Sequence, residues 1–112
     1  HQMADARIRQ LKIKTGIVKR LTKEKSVYEK EVEVEKERMA KMKDTGKDEH
    51  TLKRQEEVIQ DTAQMVPHCQ KGILAAYNDL KEVLESVPDL AEKEEYISAQ
   101  AALKDAELAL QG

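Results

Sequence analysis

The chain has 112 residues, with 20 basic and 22 acidic side chains, and only 3% of it is aromatic. This length is typical of one domain, and without Phe or Trp the chain cannot fill a thick core with large rings. A lone cysteine excludes an intramolecular disulfide framework, and no apolar run approaches the roughly 20 residues that span a membrane. We therefore expect one thin, aliphatic domain over residues 1–112, in a reducing compartment such as the cytosol.

Two groups of helix-ending residues divide the chain into three segments. A cluster of turn formers surrounds Gly46, and Pro88 ends the helical pattern that precedes it. The predicted helices run from about 4 to 43, 48 to 86 and 89 to 111. His1 and Gln2 precede the first methionine, and we interpret them as a cloning remnant.

The first segment contains an alternating stretch, LKIKT at 11–15, that on its own favours a β-strand. A seven-residue pattern runs straight through this stretch, however, and no other segment offers a strand to pair with it. We therefore predict one long helix, in which the interior Gly16 costs about 1 kcal/mol. The two columns expected to face the other helices are Leu11, Val18, Lys25, Val32 and Met39, and Lys14, Leu21, Tyr28, Glu35 and Met42.

The second and third segments have equally clear patterns. In the second, an apolar residue occurs at every seventh position on both sides of Pro67. This predicts a helix that kinks near Pro67 rather than ends there. Its column comprises Leu52, Ile59, Val66, Ile73, Leu80 and Val87. In the third, Asp89 and Glu92 have the spacing of an N-cap and capping-box pair. They precede a column of Tyr96, Ala99, Leu103, Ala106 and Leu110.

Short connections between long amphipathic helices favour neighbours that run in opposite directions. We therefore predict an all-α fold, a coiled-coil-like antiparallel three-helix bundle that runs up-down-up and is roughly 60 Å long.

Several apolar residues of the first segment lie outside its two columns. Wide-core packing explains Ile8 and Ile17 readily, because three-helix bundles bury more than two columns. It explains Ile13, Val27 and Val34 less well, so an exposed contact strip stays open as the second interpretation.

The same segment is strongly basic. Between Arg7 and Lys25 it has eight basic residues and one acidic residue, Glu24. A solvated surface and a docking face for an acidic protein are both compatible with this pattern. Nucleic-acid binding is disfavoured by the sequence pI of about 6.0, by the absence of a reader motif and by the lack of aromatic residues in this stretch.

Candidate catalytic and metal-binding residues are few. His68 and Cys69 are adjacent, so on a helix they point about 100° apart and cannot share a tetrahedral ion without other ligands. Cys69 lies in a core column, which predicts a buried small hydrophobe. Because no nucleophile constellation or phosphate loop is present, we predict a protein without catalytic residues, metal or cofactor.

Three stretches resemble the tubulin-binding cofactor A family: LKIKTGIVKRLTKEKSVYEKE at 11–31, MVPHCQKGILAAYNDLKEVLE at 65–85 and EKEEYISAQAAL at 92–103. The resemblance implies a small three-helix bundle that captures β-tubulin folding intermediates after their release from the cytosolic chaperonin. It also implies that no nucleotide is used, that other tubulin-folding cofactors take over the client, and that the protein is cytoplasmic and associated with the cytoskeleton.

A client of this family is expected to present acidic surfaces. We therefore predict that the β-tubulin-binding face includes Lys12, Ile13, Lys19, Arg20 and Lys23. We expect a monomer or weak homodimer that contacts neither nucleic acid nor membrane. The alternative is a structural helical module that joins a larger assembly through coiled-coil pairing, and sedimentation at several concentrations distinguishes the two.

Overall fold

The structure, a computed structural model, describes residues 5–112 and contains three α-helices and no strand within that range. Helix α1 spans Ala6–Asp44, α2 spans Glu49–Glu85 and α3 spans Glu94–Gln111, with a 3₁₀ turn at Pro88–Leu90 before α3. The all-α, three-helix prediction is confirmed. His1 and Gln2, which we interpreted as a cloning remnant, lie outside the described residues.

Helix α1 is continuous through the stretch whose alternation favoured a strand. The carboxylate of Asp5 caps its start by accepting a 2.9 Å hydrogen bond from the backbone N–H of Arg7. At its end, Gly46 adopts a positive φ of 71°, which suits glycine because it has no Cβ. Asp48 then caps α2 by accepting a 2.7 Å bond from the N–H of Thr51.

The core lies where all three helices meet. Its largest fully buried side chains are Leu11 and Val18 of α1 and Ile73 and Leu80 of α2. Helix α3 contributes small residues to this core, mainly alanines, which let it approach the other two helices closely. The spacing of apolar residues in each segment therefore predicted correctly which face of each helix packs against the others.

The long column of α2 is buried along only half of its length. Ile73, Leu80 and Val87 are buried, whereas Leu52 and Ile59 are only partly covered. Helix α3 has 18 residues against 39 in α1, and its last carbonyls lie beside Lys25 and Gln70. Helix α3 does not continue beyond that point, and we call residues 26–44 of α1 and 49–69 of α2 the two-helix extension.

Helix α3 begins at Glu94 and not at residue 89, so the predicted N-cap role of Asp89 and the capping box with Glu92 are wrong. The carboxylate of Asp89 instead accepts hydrogen bonds of 2.9 and 3.0 Å from the guanidinium of Arg7 on α1. Burial of Leu90 holds the preceding turn against the core, so that α3 starts one turn later.

Two charged residues of the predicted α1 columns are buried and find partners. The ammonium of Lys25 donates a 2.7 Å hydrogen bond to the carbonyl of Ala109, near the end of α3. In the two-helix extension, the amide of Gln55 donates to the backbone carbonyl of Glu35 at 2.9 Å and to its carboxylate at 3.1 Å. Buried polar groups without partners are costly, so these bonds explain how a thin core tolerates them.

Truncation of the α2 column should therefore cost more beside α3 than in the two-helix extension. We expect Ile73→Ala to lower the free energy of unfolding by about 2–5 kcal/mol, because it leaves a cavity among fully buried neighbours. Ile59→Ala, the matched change in the same column, should cost clearly less because Ile59 is already partly exposed. Lys41→Ala should stay within about 0.5 kcal/mol. Urea unfolding of the three variants measures this order, and equal costs at Ile73 and Ile59 would contradict it.

Candidate protein-binding site

The five residues predicted to bind a protein are all exposed on α1: Lys12, Ile13, Lys19, Arg20 and Lys23. At about 100° per residue, Lys12, Lys19 and Lys23 project within about 40° of one another, and Ile13 lies about 100° from Lys12. Helix α1 therefore gathers three lysines on one narrow face and places Ile13 at its edge.

Several neighbouring cations of α1 are already paired with carboxylates. Arg7 pairs with Asp5 and Asp89, Lys14 pairs with Asp79, and Arg20 pairs with Glu24 at 3.3 Å. Within residues 5–112, by contrast, Lys12, Lys19 and Lys23 form no ion pair. These three lysines, which we call the lysine face, carry charge that no carboxylate of the described residues neutralises.

The apolar residues outside the α1 columns divide into two groups. Ile8 packs against the core, as wide-core packing predicted. Ile17 is 38% exposed, so wide-core packing is wrong for it. Ile13, Val27 and Val34 are 54%, 49% and 51% exposed, so wide-core packing is wrong for these three as well, and the exposed contact strip stays a prediction.

Two lysines of the lysine face line a cleft between α1 and the start of α3. The cleft has a volume of about 340 Å³, and its lining residues are Lys12, Thr15, Gly16, Lys19, Glu94, Glu95 and Ser98. Lys19 donates a 3.3 Å hydrogen bond from its ammonium to the hydroxyl of Ser98. The sequence prediction missed Thr15, Gly16 and Ser98 as site residues, because nothing in their local pattern shows that α3 begins opposite them.

The other predicted basic residues lie elsewhere. Arg20 and Lys23 line a separate shallow groove of about 450 Å³, together with Glu24, Val27, Tyr28 and Glu31. The side chain of Ile13 lines neither concavity. The structure thus distributes the predicted residues along one side of α1 rather than bringing them together in one pocket, a geometry that suits an extended protein surface.

Cys69 is buried, as its column position predicted, and burial raises the pKa of its thiol. His68 beside it is exposed. Among residues 5–112, no group of three or more His, Cys, Asp or Glu side chains is arranged to hold a metal ion. No helix in the described part of the chain combines the length and apolar character needed to cross a bilayer.

The contact between Arg7 and Asp89 positions the cleft, because it ties the turn before α3 to the first turn of α1. Hydrogen bonds from the Arg7 guanidinium hold the pKa of the Asp89 carboxyl below its ordinary value. Hydrogen bonds to Asp5 and then to Asp89 raise the pKa of Arg7. Both partners are exposed, so the pair acts as a positioning contact more than as a source of stability.

Comparison with known proteins relates most of the chain to one family. The model of the family described as tubulin binding cofactor A matches residues 6–103. The tubulin-specific chaperone A of Rattus norvegicus is 48% identical over 106 residues, which cover 95% of this chain and 98% of that relative.

Two solved structures share the fold. The tubulin folding cofactor A from Arabidopsis thaliana has a TM-score of 0.85 at 42% identity, with 92% of this chain and 97% of that one covered. The tubulin-binding cofactor A from Leishmania major has a TM-score of 0.82 at 28% identity, with 96% and 99% covered. The three-helix arrangement is therefore similar even where most residues differ.

Removal of the Arg7 guanidinium should release Asp89. In Arg7→Gln we expect the pKa of Asp89 to rise to its ordinary value of about 3.8. Because the folded pKa of Asp89 is depressed, the contact stabilises the fold above that ordinary value, and its contribution is lost as the pH falls through the folded pKa. Titration of the side-chain carboxyl ¹³C resonances measures the pKa of Asp89 in the parent protein and in Arg7→Gln.

Asp48 is the internal control for this titration. A hydrogen bond from the backbone N–H of Thr51 lowers its pKa, and Arg7 plays no part in that bond. The pKa of Asp48 should therefore be the same in both proteins. An unchanged pKa of Asp89 in Arg7→Gln would show that the contact does not form in solution.

Proposed function

This chain belongs to the tubulin binding cofactor A family, as its sequence resemblance predicted, and on that basis we propose that it is a tubulin-folding cofactor. Its client in this proposal is a β-tubulin folding intermediate released from the cytosolic chaperonin, which it captures and stabilises. The names of its relatives, tubulin-specific chaperone and tubulin-folding cofactor, support the role in tubulin folding.

The lysine face is the observation that carries the proposal. Lys12, Lys19 and Lys23 are exposed and, within residues 5–112, have no carboxylate partner. Such unpaired charge attracts and orients an acidic client at a distance, while the exposed Ile13 beside it adds a small desolvated contact. Contacts of this kind give fast association and moderate affinity, so the client can be passed on without energy from ATP.

The remaining features of the proposed role follow from the same contacts. The protein performs no catalysis and binds no nucleotide, because holding a client needs only a surface. Other tubulin-folding cofactors take the client by competition, and the protein works in the cytoplasm in association with the cytoskeleton. A cofactor of this type is a monomer or weak homodimer, and sedimentation velocity at several concentrations tests that state.

We propose that the helices form one domain that runs up-down-up. Two polar contacts support opposite directions for α1 and α2, because residues later in α1 contact residues earlier in α2. Lys14 pairs with Asp79, whereas Glu35, which lies later in α1, contacts Gln55, which lies earlier in α2. Helices α1 and α3 run in the same direction, because residues later in α1 contact residues later in α3: Lys19 contacts Ser98, and Lys25 contacts Ala109.

We further propose that α2 kinks near Pro67. The helix continues through this residue, although a proline has no N–H to donate to the carbonyl of Ala63. Spin labels on exposed positions of α1 and α2 test both proposals through measured distances. Labels at Arg9 and Glu82 should be close, and labels at Lys53 and Glu82 should be nearer than a straight helix of about 1.5 Å per residue allows. A large distance between the labels at Arg9 and Glu82 would contradict the opposite directions of α1 and α2. A distance between Lys53 and Glu82 equal to that of a straight helix would contradict the kink.

Reversal of the lysine face tests the function. We expect Lys12→Glu, Lys19→Glu and Lys23→Glu in combination to weaken capture of β-tubulin by at least tenfold at low salt. The loss should shrink as the salt concentration rises, because screening removes the attraction that the substitution reverses. Capture of chaperonin-released β-tubulin, resolved on native gels, measures the effect.

The matched control places the same charge change on other exposed surfaces, as Lys53→Glu, Lys71→Glu and Lys104→Glu. Both triple variants should keep the helicity and melting temperature of the parent. Equal loss of capture in the two would mean that net charge and not the lysine face governs binding. Full capture by a well-folded lysine-face variant would overturn the assignment of this face.

A further inference from the structure

We propose that the cleft between α1 and the start of α3 is a carboxylate-binding subsite that seats a single Asp or Glu side chain of the bound client. This inference rests on the proposed function, because the client supplies the side chain. It adds a defined oxyanion pocket to the broad electrostatic attraction of the lysine face.

The first observation is an unused, buried hydroxyl on Thr15, a residue that lines the cleft. Thr15 is only 5% exposed, and within residues 5–112 its Oγ1 has no hydrogen-bond partner. Thr22 and Thr62, also inside helices, donate to the carbonyls four residues before them at 2.8 and 2.9 Å. A buried hydroxyl without a partner costs stability, so the site retains a donor that the fold does not need.

The second observation is the start of α3. The first N–H groups of a helix have no acceptor within the helix, and they carry a partial positive charge that favours anions. In α3 the N-cap is Lys93, whose side chain makes no capping hydrogen bond. Within residues 5–112 the N–H groups of Tyr96 and Ile97 donate to the carbonyl of Lys93, whereas those of Glu94 and Glu95 have no protein acceptor and stay available to a ligand.

The remaining lining residues supply charge and space. Lys12 and Lys19 bring two ammonium groups to the cleft, and Ser98 offers a second hydroxyl. At Gly16 a Cβ atom would meet no other atom within 4 Å, so the wall of the cleft is open at that point. A threonine in a helix uses either of two χ1 rotamers, which allows the Thr15 hydroxyl to turn toward a ligand.

The two glutamates of the cleft decide which anion fits. Glu94 and Glu95 line the same cleft and repel negative charge. They also offset Lys12 and Lys19, so the cleft has no net charge to compensate the larger desolvation cost of phosphate, which carries between one and two negative charges near neutral pH, whereas a carboxylate carries one. The arrangement therefore favours the carboxylate of a protein side chain over free phosphate.

The test uses two capped synthetic hexapeptides that differ only in one Glu or Gln, with inorganic phosphate as a third ligand. In ¹⁵N spectra of the full chain, the Glu peptide should shift the amides of Thr15, Gly16, Glu95 and Ser98, and the Gln peptide should not. Phosphate at the same concentration should bind more weakly. Equal shifts with both peptides, or tighter binding of phosphate, would overturn the proposal.

Thr15→Val separates binding from folding. It removes the hydroxyl, keeps the shape and abolishes a buried group without a partner, so the melting temperature should stay the same or rise. Affinity for the Glu peptide should fall by about tenfold, because a hydrogen bond to a charged group is lost. Glu95→Gln, which removes repulsion, should tighten binding by at least twofold. Unchanged peptide affinity in Thr15→Val would contradict the subsite.

Capture of β-tubulin distinguishes this proposal from the proposed function. If the parent protein captures β-tubulin and Thr15→Val captures it more weakly, both proposals are supported. If the parent captures β-tubulin and Thr15→Val captures it equally well, the subsite is wrong and the proposed function stands. If the parent fails to capture β-tubulin, the proposed function fails, and with it the client as the source of the carboxylate.

Discussion

The difference in length between the helices governs the rest of the structure. Helix α3 has less than half the residues of α1, so it can cover only one end of the pair that α1 and α2 form. At that end the seam is mostly apolar, and its largest side chains, Leu11, Val18, Ile73 and Leu80, are fully buried. At the other end two helices share a narrow seam, which they complete with a polar contact between Glu35 and Gln55.

The charges of α1 serve two different purposes, and their partners distinguish them. Arg7, Lys14 and Lys25 each contact an acceptor on another part of the chain, so they fix how the elements meet. Lys12 and Lys23 contact no carboxylate within residues 5–112, and keeping such charges together on one side costs self-repulsion. A role outside the fold accounts for that cost, which is why the binding proposals rest on these residues.

Much of the fold could be predicted from the sequence, because the apolar period reports burial directly. It placed even Lys25 and Glu35 in the core columns, where the structure buries them. It could not show that Asp89 contacts Arg7, which lies 82 positions away, and so it assigned Asp89 to a cap. Thr15 and Ser98 form part of the candidate site only through the packing of α3 on α1, and no local pattern contains that information.

The contact between Glu35 and Gln55 also has a consequence for the register of the two long helices. A seam that repeats every seven residues offers several alignments, because a slide of one repeat brings apolar side chains opposite one another again. A slide of one repeat in either direction would part the Gln55 amide from the two oxygens of Glu35 that accept its hydrogen bonds, and a buried amide without an acceptor is costly. This polar pair, far from the core and the cleft, therefore favours one of the alignments that the apolar side chains alone would accept.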